Sequence, residues 1–348
     1  MKKSLKHKIS QIIDELKLDL RGKTVLTEAA TGAYAVTPVI AAAAGANVIA
    51  FTKDTKYGST EDVIRETNEI ISLFEKDLKI KIVNSLSPDI LKDVDIITNS
   101  GHLRPINKNI LEYVKNEAVV SYMYEAWEYR KEDLDLEFCN KKGIRVVATN
   151  ERHPDIDVFN YLGELAVKLI HDAGKSLYRN KFIIISNNDF GYHIANTLVK
   201  LCDKLGVVDV KKNKQKYPDK IEWLGDFPEF NIPESFKDTE AIIFTAYPFD
   251  NTWIQQNGII PINVFEKIID PLILRYAGHV DTDSLDKNNI SYFPEFVKSG
   301  HMGILLSEIG YDSIIRLQAG GLKSAELAIR NEEQYNNFIL LEKLNNKE

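Results

Sequence analysis

DLDLEFCNKKGIRVVATN, Asp133 to Asn150, opens the stretch that decides the fold, and SNNDFG, Ser186 to Gly191, closes it. The first segment predicts a short helix, a turn at Gly143 and a strand from Ile144 to Ala148. VFNYLGELAVKLIH, Val158 to His171, repeats apolar residues at three- and four-residue steps, the mark of a helix with one buried face. A polar turn leads to a second apolar strand, Phe182 to Ile185, and a helix is expected from Tyr192. Strand, helix, strand and helix in that order describe a chain crossing from one α/β layer system into another.

Outward from this crossing the same alternation continues on both sides. Residues 22–152 alternate strands such as KTVLTEA, NVIAFTK and AVVSYM with helical segments, including VTPVIAAAAGA and one near 107–116. Residues 177–285 do so again with FIIIS, a helix from Tyr192 to Leu205, VVDV, AIIFTAYP, VFEKII and LILRYA. The expected fold class is therefore α/β, two doubly wound parallel-sheet domains, the second Rossmann-like. The chain from Gly300 is expected to be helical to about residue 345 and to pack back on the first domain. The paired Gly320 and Gly321 within it either break that helix or permit a close crossing.

The chain has 348 residues, enough for two cores, with 44% hydrophobic and 27% charged residues. A net charge of −7 argues against nucleic acid or an anionic membrane surface as partner. MKKSLKHKISQIIDELKLDL lacks a continuous apolar core and a cleavage site, so it predicts an amphipathic helix and a cytoplasmic protein. Cys139 and Cys202 are far apart, which disfavours a disulfide framework or a zinc site; no metal is expected.

Several loops follow strands, where open α/β sheets bind ligands. TEAATGAYAVTP, Thr27 to Pro38, is either an anion-holding helix start or a tight strand–helix turn. It is not a P-loop, because no Gly-Lys-Ser/Thr follows. TNSGHLRP, Thr98 to Pro105, puts His102 and Arg104 on such a loop, as substrate contacts or solvated groups. SYMYEAWEYR, Ser121 to Arg130, adds Tyr124, Glu125, Trp127, Glu128 and Arg130, with Glu125 a candidate substrate contact.

DLDLEFCNKKGIRVVATN, the following helix and the strand entering SNNDFG resemble the hinge of the D-2-hydroxyacid dehydrogenase superfamily. In the same way LILRYAGHVDTDSL, Leu272 to Leu285, resembles that family's arginine segment, and ISYFPEF, Ile290 to Phe296, its glutamate segment. KSGHMG, Lys298 to Gly303, resembles its histidine segment. The resemblance implies a flavodoxin-like substrate domain, 1–152 with 304–348 packing back, and a dinucleotide-binding domain, 153–303. It implies Arg275 as clamp for a substrate carboxylate, Glu295 as partner of the histidine, and His301 as general acid/base. His279 is a rival for the place of Arg275. It further implies a homodimer, NAD or NADP as cofactor, and hydride transfer on a small carboxylate-bearing hydroxy or oxo compound.

The chain departs from the family pattern where the dinucleotide fingerprint falls. Aligned on Gly191, the three glycines of that motif become Ser186, Asn188 and Gly191, with Asn187, Asp189 and Phe190 between them. Only the glycine that lets helix pack on strand is kept. Asp209, eighteen residues after Gly191, stands where a ribose-binding acid belongs. Thr245, Ala246, Tyr247 and Pro248 form the loop that lies over the nucleotide in the family. Two rival readings share this scaffold: an enzyme of different chemistry with another nucleotide or a tightly held cofactor, and a non-catalytic binding protein.

Overall fold

The computed structural model describes residues 2–55, 58–74 and 77–330. The chain divides into two compact units, one of residues up to Val158 with those from Gly310, the other Phe159–Ile309. Both crossings fall six residues later than the boundaries read from sequence (158 against 152, 309 against 303).

In the first unit six parallel strands, β1 (Thr24–Glu28), β2 (Asn47–Phe51), β3 (Ile80–Val83), β4 (Ile96–Thr98), β5 (Val119–Tyr122) and β6 (Arg145–Ala148), lie in the order 3-2-1-4-5-6. That is the dinucleotide-fold order and not the flavodoxin-like 2-1-3-4-5 expected for this domain. Connections run outward from β1 to β3 and then return to β4 on its other side, so the order reverses between β1 and β4.

Helices α1 (Lys2–Glu15), α2 (Thr37–Ala43), α3 (Thr60–Ile71), α4 (Pro88–Leu91), α5 (Lys108–Leu111) and α6 (Leu136–Lys142) cover the sheet's faces. In α1 the buried positions Leu5, Ile9 and Ile12 follow helical spacing, as expected for an amphipathic segment. Ser59 and Asp62 cap α3 reciprocally, each side chain meeting the other's backbone N–H at 3.2 Å. Asp135 starts α6 by accepting the Phe138 N–H at 2.9 Å, and Gly143 ends it at φ 77°. The segment 107–116 is helical only over α5.

The second unit begins with α7 (Tyr161–Asp172). Its main sheet contains β7 (Lys181–Ser186), β8 (Lys204–Asp209), β9 (Glu222–Asp226), β10 (Glu229–Phe230), β11 (Ala241–Thr245), β14 (Leu272–Ala277) and β16 (Ser291–Phe293). The order is β10-β9-β8-β7-β11-β14-β16, parallel except for the hairpin strand β10. The reversal here falls between β7 and β11. A small parallel sheet adds β12 (Thr252–Gln255), β13 (Ile260–Pro261) and β15 (His279–Val280). Helix α8 (Phe190–Leu198) follows β7, and α9 (Thr282–Lys287) precedes β16.

The helix expected to reach Leu205 ends at Leu198, and Leu205 belongs to β8. Because β8 is buried on both faces, Leu205, Val207 and Val208 lack the alternation that marks a strand, and helical spacing runs on into it. Of VFEKII, only Val264 and Phe265 are helical, as the end of a 3-10 turn, Ile262–Phe265.

The final helix, α10 (Asp312–Arg330), begins twelve residues after Gly300, and its expected extension to 345 lies outside the described residues. It belongs to the first unit and runs unbroken through Gly320 and Gly321. A Cβ on Gly320 would sit 2.8 Å from Ile156, and one on Gly321 2.5 Å from the Met123 sulfur. The Gly321 carbonyl accepts the Ser121 hydroxyl at 2.6 Å, so the glycines serve a close crossing on β5.

Candidate active site

In the second unit the predicted cofactor residues gather at the carboxyl edge of the sheet, on either side of the reversal between β7 and β11. There the loop Ser186–Gly191 is internally hydrogen-bonded. The Asn188 N–H donates to Ser186 Oγ at 3.2 Å, and the Phe190 N–H donates to Asn188 Oδ1 at 2.9 Å. Asn187 joins Tyr247 through two 2.8 Å bonds, accepting its N–H and donating to its carbonyl. The Ala246 N–H donates to the Ala277 carbonyl at 3.0 Å, and the Pro248 carbonyl accepts Trp253 Nε1 at 2.9 Å, which fixes the Thr245–Pro248 loop. Asp189 faces Lys216 at 3.4 Å. A Cβ on Gly191 would collide with the Tyr217 hydroxyl and the Ser186 side chain, so this position needs glycine for internal packing.

Asp209 ends β8 fully buried and accepts the Tyr217 hydroxyl and the Val210 N–H at 2.6 Å each, and Asn213 Nδ2 at 3.2 Å. Burial pushes its carboxyl above the usual range, against the pull of these donors.

Arg275, 3% exposed in β14, donates through Nη1 to the carbonyls of Pro294 (3.0 Å) and Glu295 (2.8 Å). Its Nε is buried without a partner among the described residues, and burial lowers its pKa from the ordinary value. The Glu295 side chain is exposed, and no hydrogen bond joins it to His301. His301 Nδ1 lies 3.0 Å from the Ser299 carbonyl. The next residue, Met302, bridges to Ala277, which puts the histidine segment at the carboxyl end of β14. His279 pairs with Thr252 in the small sheet. Arginine, glutamate and histidine thus share one edge, and the arginine is joined to the glutamate backbone.

These residues fit a dinucleotide in frame and not in detail. A strand–loop–helix at the reversal, a required third glycine and an acid at the tip of the next strand are all present. Yet the backbone N–H groups of Asn188, Phe190, Val210, Ala246 and Tyr247 and the Asp209 carboxylate are already engaged. Each exchanged hydrogen bond carries a net ~1 kcal/mol, so replacing two or three costs about 10- to 200-fold in affinity without removing the frame.

The carboxyl edge of the first unit is different. The register Leu26–Ile97–Val120–Val146 places these core residues on one face. On the opposite face the hydroxyls of Thr27 and Thr98 meet at 2.7 Å. Alternation therefore returns Glu28 and Asn99 to the core face, side by side at the strand ends.

Glu28, 6% exposed, accepts the His102 N–H at 2.9 Å; burial raises its carboxyl pKa against the pull of that N–H and of Arg104. Asn99 is fully buried, and neither its Oδ1 nor its Nδ2 has a partner among the described residues. Arg104 binds Asp133 at 3.0 Å and the Tyr124 hydroxyl at 3.1 Å, while its Nε is buried unpaired. His102 Nδ1 lies 3.3 Å from Thr52 Oγ1, and burial lowers its pKa.

Around this row stand more acids. Glu125, fully buried, pairs with Arg152 and accepts Trp127 Nε1 at 2.7 Å and the Glu151 N–H at 3.2 Å. Burial, with the charge of Glu125 beside it, pushes the Glu128 carboxyl up to about 7. Burial and the charges of Glu128 and Glu125 also raise the Glu151 carboxyl. The Tyr34 phenol is raised well above its usual value by burial, then by Tyr124, Glu28 and Glu151, which places it among these groups.

Of the predicted substrate contacts, His102, Arg104 and Glu125 fall on this edge. Sequence reasoning does not single out Glu28, Tyr34, Asn99 or Glu151, although each follows or ends a strand. The turn after Glu28 is the tight one, with the Gly32 N–H already taken by Glu66 at 2.8 Å. Among the described residues no group of three His, Cys, Asp or Glu could hold a metal ion, and no helix is long and apolar enough to cross a membrane.

Two such sheets in one chain make a fold that is shared with solved structures. The structure is similar to that of a dipicolinate synthase chain from Bacillus subtilis. The TM-score is 0.57 and the identity 15%, over 91% of this chain and 100% of that one. The corresponding dipicolinate synthase chain from Bacillus halodurans gives 0.54 at 13% identity, over 90% and 98%. A D-lactate dehydrogenase from Treponema pallidum gives 0.52 at 12%, over 89% and 97%. At these identities the likeness is one of fold. No protein-family model matches the sequence, and no curated protein matches it.

Proposed function

We propose that the chain is an oxidoreductase acting on a small carboxylate-bearing hydroxy or oxo compound, with NAD or NADP held at the Ser186–Gly191 edge. The observation that supports this most is convergence. The loop 186–191, the tip of β8 with Asp209, the loop 245–248 and the segment of His301 all meet the carboxyl edge of one sheet, where its strand order reverses. Ligands of doubly wound sheets bind at such reversals. The cofactor, when bound, supplies the hydride acceptor or donor.

The chain's own residues supply the rest. A carbonyl only accepts, so His301 Nδ1 donates towards Ser299, and in this reading the neutral ring offers Nε2 as the base. That tautomer suits a base that takes a hydroxyl proton near neutral pH. Arg275 Nη1 orders the Pro294–Glu295 turn, and the remainder of its fork is left for a carboxylate. A dimer through the second unit accompanies this reading by resemblance.

Calorimetric titration with NAD, NADP and their reduced forms tests it, with weak binding expected. The preoccupied loop favours a second reading, an enzyme of other chemistry or a binding protein on the same scaffold. Binding of no nicotinamide nucleotide selects that one.

A further inference from the structure

The carboxyl edge of the first unit holds charges and polar atoms that the fold itself leaves uncompensated. Glu125 is paired with Arg152, and Asp133 with Arg104. Glu28 feels Arg104 and Glu151 feels Arg152, but neither carboxylate closes an ion pair among the described residues. Glu28, Glu151 and Arg104 all act on the Tyr34 phenol. Gly101 completes the approach, since a Cβ there would sit 3.3 Å from Glu28 Oε2 and 3.8 Å from Arg104 Nη2.

Independent of these charges is Asn99, fully buried beside Glu28 with both amide atoms unpartnered. A buried amide without hydrogen bonds costs ~1–3 kcal/mol, and native proteins rarely keep one without a use. The Arg104 Nε is a second buried donor without a partner. One row of the sheet thus offers anionic acceptors and, next to them, neutral and cationic donors. No group of three His, Cys, Asp or Glu among the described residues is placed to hold a metal ion, so the unmet donors point to an organic ligand. A simple carboxylate would meet the donors but add charge beside Glu28, and a simple amine would leave the donors unmet.

We propose that this edge binds a small zwitterion, an α-amino acid or close analogue, with its ammonium against Glu28 and Glu151 and its carboxylate on Arg104 Nε and Asn99 Nδ2. The site stands on the first unit alone and does not depend on whether the second unit holds a nucleotide.

The test is thermal denaturation and calorimetry of the full chain with the proteinogenic amino acids at millimolar concentration. Ethylamine, acetate and pyruvate serve as half-ligands. At least one amino acid should raise the melting temperature and bind, while each half-ligand binds about tenfold or more weakly. Glu28→Gln and Glu151→Gln, both isosteric, should each weaken that amino acid by about 10- to 100-fold. Two variants are used so that a folding failure of one, visible by circular dichroism, leaves the other decisive. Nicotinamide nucleotide titration is run beside them and should not respond to either substitution. Binding of no amino acid overturns the proposal, as does pyruvate binding as well as its amino-acid counterpart. So does an amino acid bound equally by wild type and both variants.

Discussion

The parallel strands of both sheets take the order 3-2-1-4-5-6, which reverses beside the first strand, yet their carboxyl edges treat polar groups in opposite ways. At the second unit's edge, Asn187 is matched to Tyr247, Asn188 to the start of α8, and Asp209 to Tyr217 and Asn213. At the first unit's edge Asn99 and Arg104 Nε stay unmatched and three glutamates crowd together. A doubly wound sheet only brings groups to its edge. Whether the edge is prepared for a ligand depends on what the side chains leave unsatisfied.

The largest effect that tests the second edge is on turnover. With the 2-hydroxy or 2-oxo acid that reacts fastest, His301→Asn should lower the turnover number about 10²–10⁴-fold, because a general base is lost. Nucleotide affinity, read by calorimetry, should stay unchanged. Equal turnover in the variant would remove the histidine from the chemistry.

Next comes a stability effect at the first edge. The Glu128 carboxyl titrates near 4.5 when unfolded and is pushed up to about 7 when folded. Between those values the folded state holds the extra proton, so this group's contribution falls as pH rises and is fully lost above about pH 7. Glu128→Gln should match wild type near pH 4.5 and exceed it at about pH 8, by ~2–3 kcal/mol in denaturant melts. A variant less stable than wild type at high pH would mean that the crowded carboxylates are compensated after all.

Tyr217→Phe probes the second edge from the other direction. It removes the 2.6 Å bond to buried Asp209, which should cost about 1.5–2 kcal/mol of stability. It also releases the carboxylate for a ribose hydroxyl, so NAD or NADH should bind several-fold tighter. Lower stability with unchanged nucleotide affinity would make Asp209 purely structural.

Much of this architecture is legible in sequence because it rests on local rules. Gly143, Asp135 and the apolar steps from Leu162 to Ile170 announce α6, β6 and α7. The strand β8 is misread past Leu198 because burial on both faces erases alternation. The sites are legible only where a residue type carries meaning alone, as for His102, Arg104 and Glu125. Glu28 and Asn99 become neighbours through the register of β1 and β4, seventy-one residues apart, which no local pattern encodes. The closed state of the 186–191 loop is hidden for the same reason, since Tyr247 and Tyr217 reach it from other strands.

The smallest effect bears most directly on the contrast between the edges. Asn99→Leu replaces a fully buried, unpartnered amide by an apolar side chain of similar size. Removing an unmet polar group from the interior offsets the imperfect fit of the new shape, so the variant should be equal to wild type or more stable by up to ~1 kcal/mol. A polar residue that the folded chain does better without is one retained for another purpose, and stability is commonly lowered at such places. Denaturant melts of Asn99→Leu, with and without millimolar amino acid, separate the two contributions. The variant should be stable and indifferent to the amino acid. If instead it lost roughly 2 kcal/mol or more, the measure of a broken buried hydrogen bond, Asn99 would have a structural partner and the two edges would differ far less than they do here.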